Sequence, residues 1–456
     1  MTRKLFGTDG IRGKANTGNM TPEVAFRLGA AVTYQARSRN RHNKAPRIVI
    51  GKDTRISGYL LENALTAGCA AMGGRVLLTG PLPTPAVAHL TLSMRADVGI
   101  MISASHNPYY DNGLKVFGPD GFKLPDSAEA DLEELMASHT LDENRPVGVQ
   151  IGRAERIDSS WGRYVQFVKN TFPRALTLDG LRVVVDAAHG AAYITAPHVF
   201  SELGANVRAI GVHPNGRNIN AERGAMSPES CAKEVLRHRA DIGIALDGDA
   251  DRLVIIDEKG QQVHGDAVIA LCAAQMISER KLAKNTAVAT VMSSIGLEHA
   301  LARVDGKLVR VGVGDRYVVE EMRANDYNFG GEQSGHLVFL DHATTGDGLL
   351  GALQILAILL NRNKPLSELV AETFEAVPQV LVNVTLDQRK PLEELPETQT
   401  AIRDSESTLA GDGRVLVRWS GTEPKLRVMV EGPDPQRIRS LAQQIADTAA
   451  AEVGQR

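Results

Sequence analysis

Short runs of β-branched and other apolar residues alternate with longer amphipathic stretches along most of this chain. Apolar runs occur at residues 47–50, 97–102, 181–186 and 287–292. They end in small polar residues, and helical periodicity follows the first, third and fourth of them. Strand, polar turn and helix in this order are typical of α/β proteins with a parallel sheet, so we predict an α/β fold.

The same plan recurs, which predicts several domains. The segments that begin at residues 181 and 287 repeat the plan of residues 47–58, so three related α/β domains are expected. From residue 377 onward the pattern becomes strand, helix, strand, loop, strand and helix, which predicts a smaller, strand-rich part at the C-terminus. A chain of 456 residues is also too long for one ordinary core.

Net charge, cysteine spacing and the apolar runs indicate which partners and which cellular compartment to expect. The formal net charge is -3, so neither nucleic acid nor an anionic membrane is expected as a partner. Cys69, Cys231 and Cys272 have no paired spacing, which fits a reducing compartment. Residues 1–6 have no apolar signal core, and no apolar run reaches membrane-spanning length. We therefore expect a cytoplasmic protein.

The strand predicted at residues 97–102 leads into the segment Ser-Ala-Ser-His-Asn-Pro. Small residues allow another molecule to approach the backbone there, and Pro108 stiffens the loop. Ser105, next to His106, could be a nucleophile, although a serine before a histidine in a turn is usually no more than a turn. Three other stretches favour the catalytic interpretation.

The first of these stretches is acidic. Asp247, Asp249 and Asp251 alternate with small residues between two apolar strands, and they can turn their carboxylates around one hard cation such as Mg²⁺. A calcium EF-hand is one alternative, since Glu258 has the spacing of its last ligand, but Arg252 stands where that loop needs glycine. An aspartyl-phosphate site is another, but Asp251 replaces its threonine. Solvated hairpin aspartates are the third, and we favour Mg²⁺.

Two further loops carry groups suited to a phosphorylated sugar. Glu332, Ser334 and His336 lie at alternate positions between glycines, where a carboxylate and a hydroxyl can bind vicinal sugar hydroxyls. A polar hairpin tip is the alternative. Near the C-terminus, arginines, hydroxyls and a glycine amide predict a phosphate cradle, with a solvated basic loop as the alternative. The residues of this cradle are Arg418, Ser420, Gly421, Thr422 and Arg427.

Two more cations are candidates for the site. Arg12 lies among glycines in residues 7–13, which predicts a tight loop that offers a forked donor to a ligand or, alternatively, a surface turn. Lys115 follows an Asn-Gly hairpin signal at residues 112–113. Most lysines are solvated, but one flanked by Leu114 and Val116 could be partly buried and act as a proton donor.

Taken together and in this order, these stretches resemble the α-D-phosphohexomutases, most closely the bacterial phosphoglucosamine mutases among them, nearly from end to end. The resemblance implies three related α/β domains and a C-terminal α+β domain of the TATA-box-binding-protein-like type around a central cleft. The implied domains are 1–154 with the phosphoserine loop, 155–256 with the metal-binding loop, 257–372 with the sugar-binding loop and 373–456 with the phosphate-binding loop.

The resemblance also implies a role for each candidate residue. The phosphate-bearing serine and the Mg²⁺ ligands would be Ser105, Asp247, Asp249 and Asp251. The residues around the reacting groups, among which Lys115 and His336 would be general acid and base, are Arg12, His106, Lys115, Arg252 and His336. The residues that hold the sugar hydroxyls would be Glu332 and Ser334. The residues that hold the phosphate that does not react would be Arg418, Ser420, Gly421, Thr422 and Arg427.

The reaction implied is the Mg²⁺-dependent interconversion of glucosamine 6-phosphate and glucosamine 1-phosphate. It would pass through glucosamine 1,6-bisphosphate or a similar hexose bisphosphate. The family also suggests a homodimer formed through the first domain. Gln333 favours the amino-sugar branch, because phosphomannomutases and phosphoglucomutases more often carry methionine there. One alternative keeps the mechanism but takes glucose or mannose phosphates, and a remote one is a sugar-phosphate sensor without turnover.

Overall fold

The structure is a computed structural model that describes residues 5–7, 9–39, 44–419 and 425–454. The described chain forms four sheets with helices between their strands. We call the parts built on these sheets, in chain order, the first to the fourth unit. Three units have mixed α/β sheets and the fourth has an antiparallel sheet, which confirms the predicted fold class.

The first unit contains a seven-stranded sheet. Its strands are β1 (Phe6–Gly7), β2 (Gly10–Lys14), β3 (Arg47–Lys52), β4 (Arg75–Pro81), β5 (Val98–Ile102), β6 (Asp111–Phe117) and β7 (Arg153–Arg156). Its helices are α1 (Pro22–Arg39), α2 (Ser57–Ala71), α3 (Thr84–Ser93), α4 (Asp126–Ala137) and α5 (Thr140–Glu143). The strand order is β1-β2-β6-β5-β3-β4-β7.

Strand direction in the first sheet differs from the prediction. β3 pairs in parallel with β4 and β5, and β4 with β7. The pairs β5–β6, β6–β2 and β2–β1 are antiparallel, so the sheet is mixed rather than parallel. The expected domain boundary between residues 154 and 155 falls inside β7, which belongs to this sheet.

The second and third units repeat one smaller plan of four strands. The second has β8 (Arg182–Asp186), β9 (Asn206–Ile210), β10 (Ile242–Leu246) and β11 (Leu253–Ile256), with α6 (Ser160–Lys169), α7 (Thr195–Ser201) and α8 (Glu229–His238). The third has β12 (Thr286–Thr290), β13 (Lys307–Val311), β14 (Phe329–Gly331) and β15 (Leu337–Phe339), with α9 (Gly265–Ser278), α10 (Ile295–Ala302), α11 (Asp315–Ala324), α12 (Gly348–Arg362) and α13 (Leu366–Thr373). In each sheet, three strands are parallel and the last is antiparallel.

The fourth unit is an antiparallel sheet with two helices against it. Its strands are β16 (Gln379–Thr385), β17 (Arg414–Trp419) and β18 (Lys425–Glu431), and its helices are α14 (Pro396–Leu409) and α15 (Pro435–Val453). β18 lies between β16 and β17. No helix in the described part of the chain is long and apolar enough to cross a membrane.

Helices on both faces explain why the central strands lack polar alternation. Every residue of β5, β10 and β12 is buried. A strand covered on both faces reads as a continuous apolar run, as the sequence does here. Full burial of one Val, Ile or Leu side chain stabilises the fold by about 1.5–3 kcal/mol, so these runs anchor the loops that follow them.

Each loop singled out in the sequence joins two antiparallel neighbours. Residues 103–110 connect β5 to β6, residues 247–252 connect β10 to β11, and residues 332–336 connect β14 to β15. The phosphate-cradle loop similarly lies between β17 and β18. The two ends of each of these loops are therefore held together by the hydrogen bonds between the two strands that the loop connects.

One local prediction is met only in part and another is wrong. In residues 7–13, Gly7 and Gly10 are direct partners in the antiparallel pair β1–β2, so the chain between them is short, but Arg12 lies on β2 rather than in a loop. Residues 112–113 are not a turn, because they lie inside β6 and pair with β2. A Cβ atom on Gly113 would stand 2.4 Å from the carbonyl oxygen of Ser103, so glycine is required there by close approach of the backbone.

Candidate active site

Ser105 is buried at the end of β5 in a left-handed backbone conformation, with φ of 51°. Its hydroxyl donates a hydrogen bond of 2.5 Å to Oδ2 of Asp247 in the second unit. Its amide donates to Oγ of Ser103 at 2.9 Å. Left-handed geometry is unfavourable for a residue with a side chain, so the surroundings must hold it.

Two side chains that the sequence analysis missed hold this loop. Nη2 of Arg55, a fully buried residue, donates to the carbonyl oxygens of Ser105 at 3.1 Å and Asn107 at 2.5 Å. Nδ2 of Asn220 donates to the same two oxygens at 2.8 and 3.1 Å. Arg55 belongs to the first unit and Asn220 to the second. The position of Ser105 therefore depends on both units.

Asp53 completes the support of the serine loop. Its Oδ2 accepts a hydrogen bond of 2.6 Å from Ser103 and pairs with the Arg55 guanidinium. A signal for these residues existed in the sequence, because the polar turn that contains Asp53 and Arg55 directly follows β3. The carboxyl ends of the parallel neighbours β3 and β5 must lie at one edge of the sheet.

The three aspartates of the acidic loop form one buried cluster. Carboxylate oxygens of Asp247, Asp249 and Asp251 lie within 4.8 Å of one another. Oδ1 of Asp249 and Oδ1 of Asp251 are buried and accept no hydrogen bond from the described residues. Buried carboxylate oxygens without donors are the ligands that a hard divalent cation takes, so the donor set fits a metal ion.

Burial and mutual repulsion act on these carboxylates. Burial and the charges of Asp251 and Asp249 raise the pKa of Asp247 well above its usual range. Burial alone would also raise the pKa of Asp251, but the charges of Lys115, His336 and Arg252 lower it. The cluster thus concentrates negative charge beside the Ser105 hydroxyl, where a cation would be strongly attracted.

Lys115 lies inside this cluster. Its Nζ atom is 2.9 Å from Oδ2 of Asp249, 3.2 Å from Oδ2 of Asp251 and 3.2 Å from Oδ2 of Asp9. Burial would lower the pKa of Lys115, but the three carboxylates outweigh it and raise the pKa well above the usual value. Arg12 is ion-paired with Asp9, so this aspartate contacts both predicted cations.

His106 and Arg252 also lie at the serine. Nδ1 of His106 is 3.3 Å from the Ser105 hydroxyl. Burial and the nearby charges of Arg252 and Arg12 lower the pKa of His106 to about 4, so the imidazole is neutral at neutral pH. The Arg252 amide donates to Oδ1 of Asp247 at 3.2 Å, and its Nε atom is 3.9 Å from Oδ1 of Asp251.

In the loop of the third unit, residues 332–336, two of the three predicted sugar-site residues are buried. Glu332 and His336 are buried, whereas Ser334 is exposed. Oε1 of Glu332 accepts a hydrogen bond of 3.1 Å from the Gly314 amide. Ser334 is at the limit of hydrogen bonding to Glu332, at 3.5 Å. Glu332 is thus fixed by backbone, while Ser334 can turn towards a ligand.

The arginines of the fourth unit face each other. Arg418 on β17 and Arg427 on β18 are direct cross-strand partners. Their Nε atoms are buried and have no hydrogen-bond partner among the described residues. Arg418 contacts Met292 of the third unit rather than the serine loop. Ser420, Gly421 and Thr422 lie outside the described residues.

This arrangement brings most of the predicted residues into one place. A serine hydroxyl, three carboxylates able to hold a cation, two arginines, a lysine and two histidines meet where the first, second and third units touch. A hydroxyl held beside a metal site and several fixed cations can transfer a phosphoryl group, since that reaction depends on positioning and charge neutralisation.

Comparison with known proteins agrees with this chemistry. Family models of the phosphoglucomutase/phosphomannomutase domains match along the chain: alpha/beta/alpha domains I, II and III at residues 3–143, 162–260 and 264–377, and the C-terminal domain at residues 381–448. A solved structure of a phosphoglucomutase/phosphomannomutase family protein from Burkholderia thailandensis has a TM-score of 0.80 at 23% identity, covering 99% of this chain and 98% of that one.

Curated relatives are similar over nearly the whole sequence. The phosphoglucosamine mutase of Sorangium cellulosum is 61% identical over 453 residues, 99% of this chain and 94% of that protein. The phosphoglucosamine mutase of Myxococcus xanthus is 57% identical over 447 residues, 98% of this chain and 96% of that protein. The chain therefore belongs to the phosphoglucomutase/phosphomannomutase family, the α-D-phosphohexomutases.

Proposed function

We propose that this protein is a Mg²⁺-dependent phosphoglucosamine mutase that interconverts glucosamine 6-phosphate and glucosamine 1-phosphate. The observation that carries the proposal is the hydrogen bond of 2.5 Å between the Ser105 hydroxyl and Asp247 of the acidic cluster. A serine in this position can carry a phosphate next to a metal site. The identity of 61% with a phosphoglucosamine mutase supports the choice of the amino sugar.

The reaction begins with a phosphate on Ser105. A hydroxyl of the hexose phosphate attacks this phosphorus, its O–P bond forms, the Ser105 Oγ–P bond breaks, and a hexose bisphosphate results. The proton of the sugar hydroxyl passes to a base, for which His336 is the candidate, and the Ser105 oxygen takes a proton from an acid, for which Lys115, held as the ammonium by its carboxylate partners, is the candidate. The bisphosphate then turns end for end and returns its other phosphate to Ser105 by the same steps.

The protein supplies charge and position for these steps. Asp247, Asp249 and Asp251, together with the Ser105 phosphate, would hold Mg²⁺, which when bound neutralises charge on the transferring phosphoryl group. Arg12, Arg252 and the neutral imidazole of His106 would surround the phosphate. Glu332 and Ser334 would bind sugar hydroxyls. Burial of Ser105 keeps water from the phosphoserine.

The fourth unit would hold the phosphate that is not reacting, with Arg418, Ser420, Gly421, Thr422 and Arg427. The facing arginines support this role, because like charges directly opposite on a sheet are destabilising without an anion between them. Burial and the charge of Arg427 lower the pKa of Arg418, which expresses the same repulsion.

Replacing one of these arginines should weaken substrate binding without lowering the stability of the fold. In Arg418→Met we expect KM for the hexose phosphate to rise at least about tenfold, since one charge-assisted pair is lost. The free energy of unfolding should stay equal or increase slightly, because the repulsion ends. Steady-state kinetics and thermal unfolding measure both, with Arg439→Met, at an exposed arginine of α15, as the control. An unchanged KM would contradict the cradle.

The proposed substrate is tested by comparing kcat/KM for three sugars. Glucosamine 1-phosphate, glucose 1-phosphate and mannose 1-phosphate are assayed with Mg²⁺ and a hexose bisphosphate primer. We expect at least a tenfold preference for the amino sugar, equal to about 1.4 kcal/mol of transition-state discrimination. A preference for glucose or mannose phosphate would keep the mechanism and reject the amino sugar.

The remote alternative is a sensor that binds a sugar phosphate without turnover. It is not favoured, because binding alone requires neither Ser105 nor a metal cluster beside it. The mass of the intact protein, measured after incubation with a hexose bisphosphate, distinguishes the two. A phosphate on Ser105 supports the enzyme, and turnover of none of the three sugars despite that phosphate would point to another sugar class.

The remaining proposals concern organisation. We propose domains at 1–154, 155–256, 257–372 and 373–456, although all of β7, to Arg156, belongs to the sheet of the first. A cytoplasmic homodimer formed through the first domain is proposed from the family resemblance, and the three buried free cysteines fit a reducing compartment. Light scattering of the purified protein measures the oligomeric state.

A further inference from the structure

A continuous row of charged and largely buried side chains connects the two proton-transfer candidates of the proposed mechanism. We call this row, Lys115, Asp9, Lys123, Asp315 and His336, the charge chain. Successive charged atoms in it are 3.2, 2.6, 2.5 and 3.5 Å apart. The chain begins at Lys115 in the first unit and ends at His336 in the third. Lys123 and Asp315 have no role in the mechanism above.

Lys123 joins the two units. Its Nζ atom donates to Oδ1 of Asp9 at 2.6 Å and to Oδ2 of Asp315 at 2.5 Å. The side chains of Lys123 and Asp315 are each 8% exposed and that of Asp9 is 20% exposed, so the contact with Asp315 is the better shielded from water. Asp9 approaches Lys115 with its other oxygen, at 3.2 Å. A single ammonium group therefore fixes the aspartate beside Lys115 relative to the aspartate beside His336.

Asp315 lies directly against the imidazole of His336. Its Oδ2 is 3.5 Å from Nε2 of His336, a buried nitrogen that has no hydrogen-bond partner among the described residues. Burial would raise the pKa of Asp315, but the charges of Lys123 and His336 lower it to about 2. The carboxylate is thus charged at neutral pH, and a slightly shorter contact would let it accept a hydrogen bond from Nε2–H of His336.

Stability alone does not account for the charge chain. Buried ion pairs return little net stability, because desolvation of both partners opposes their attraction. The first and third units also have a separate ion pair, in which Arg316 binds both oxygens of Glu129 at 2.8 and 2.5 Å. Among the described residues, the Arg316 guanidinium pairs only with Glu129 and Asp126, so it docks α11 on α4 without an ion pair to the site. The charge chain, in contrast, ends on a reacting group at both ends.

We propose that Asp315 and Lys123 are positioning residues for proton transfer. Asp315 fixes the orientation of the His336 ring, and Lys123 fixes Asp315 relative to Asp9. The separation of Lys115 and His336 across the cleft is thereby held constant. This inference rests on the proposed mutase function, because it assigns the two chain ends to acid–base chemistry.

The test uses variants of the full chain assayed on the best of the three hexose phosphates. In Asp315→Asn, which keeps the shape of the side chain, we expect kcat to fall about 10- to 100-fold, while KM changes less than about threefold. Lys123→Met should show the same pattern. Lys123→Arg should recover part of kcat, because it restores the charge between the two aspartates.

Arg316→Lys is the matched control for docking of the two units. It keeps the charge but loses the forked contact with Glu129, so the thermal midpoint should fall while kcat stays within about twofold of wild type. A loss of kcat in Arg316→Lys as large as in Asp315→Asn would overturn the inference, since docking alone would then explain both. Unchanged kcat in Asp315→Asn, or a rise of KM alone, would also overturn it.

Failure of this inference is distinct from failure of the proposed function. If wild-type protein turns over a hexose phosphate and Asp315→Asn is equally active, only the positioning role is wrong. If wild-type protein turns over none, the proposed function fails first. Intact mass after priming checks that each variant still carries a phosphate on Ser105, so a lower kcat cannot be assigned to an unprimed serine.

Discussion

Ser105→Ala is expected to lower kcat by at least about four orders of magnitude, because the substitution removes the atom that accepts and returns the phosphate. KM cannot be determined for a variant without turnover, so hexose phosphate binding is measured by calorimetry. Binding should persist, since Arg418, Arg427 and Glu332 are unchanged. Intact mass should show no phosphate after priming.

The fold of Ser105→Ala should survive. Alanine can adopt the same left-handed backbone conformation at similar cost, and Arg55 and Asn220 bind the carbonyl oxygen rather than the side chain. Ser405→Ala is the control, because Ser405 is an equally buried serine in α14, bonded to its own helix. Its activity should equal that of wild type. Activity within tenfold of wild type in Ser105→Ala would refute the phosphoserine mechanism.

Asp249→Asn is expected to have the second largest effect, a loss of turnover of about a hundredfold or more together with weaker Mg²⁺ binding. The amide is the size of the carboxylate, but it removes one negative charge from a buried three-carboxylate site. Chelation of divalent ions should abolish wild-type turnover, and added Mg²⁺ should restore it.

Thermal unfolding gives a readout of the metal that does not depend on activity. A ligand at a hundredfold excess over its Kd stabilises the folded state by about 2.7 kcal/mol, so the wild-type midpoint should rise on titration with Mg²⁺. In Asp249→Asn this rise should be lost. Asp257→Asn is the control, because Asp257 is a buried aspartate whose carboxylate accepts backbone amides in the turn after β11. An equal rise in all three proteins would exclude the cluster as the metal site.

Much of this site could be predicted because its residues lie in short segments next to strongly apolar strands. The runs that became β5 and β10 are buried at every position, and the loops after them carry Ser105 and the three aspartates. Local sequence contains both signals. The mixed direction of the sheets could also have been inferred, because residues 103–110 and 247–252 are too short for the crossover that parallel neighbours need.

The supporting residues could not be predicted in the same way. Arg55 and Asn220 meet at Ser105 from positions 50 residues before it and 115 residues after it. Lys123 and Asp315 are 192 residues apart. Each of these side chains has an ordinary surface interpretation in its own segment, and only the packing of the units brings it to a partner. Contacts between residues so far apart in the sequence are determined by the tertiary structure and leave no local pattern in the sequence.

The hydrogen bonds of Arg55 and Asn220 to the Ser105 carbonyl oxygen imply that the first unit cannot be exchanged independently of the second. A first unit cut from the chain after β7 would keep its serine but lose the hydrogen bonds that Asn220 and Asp247 of the second unit make with it. Its loop would then relax from the left-handed conformation. Chimeras that exchange the first unit between relatives should consequently work only where the recipient second unit supplies an amide side chain at the position of Asn220.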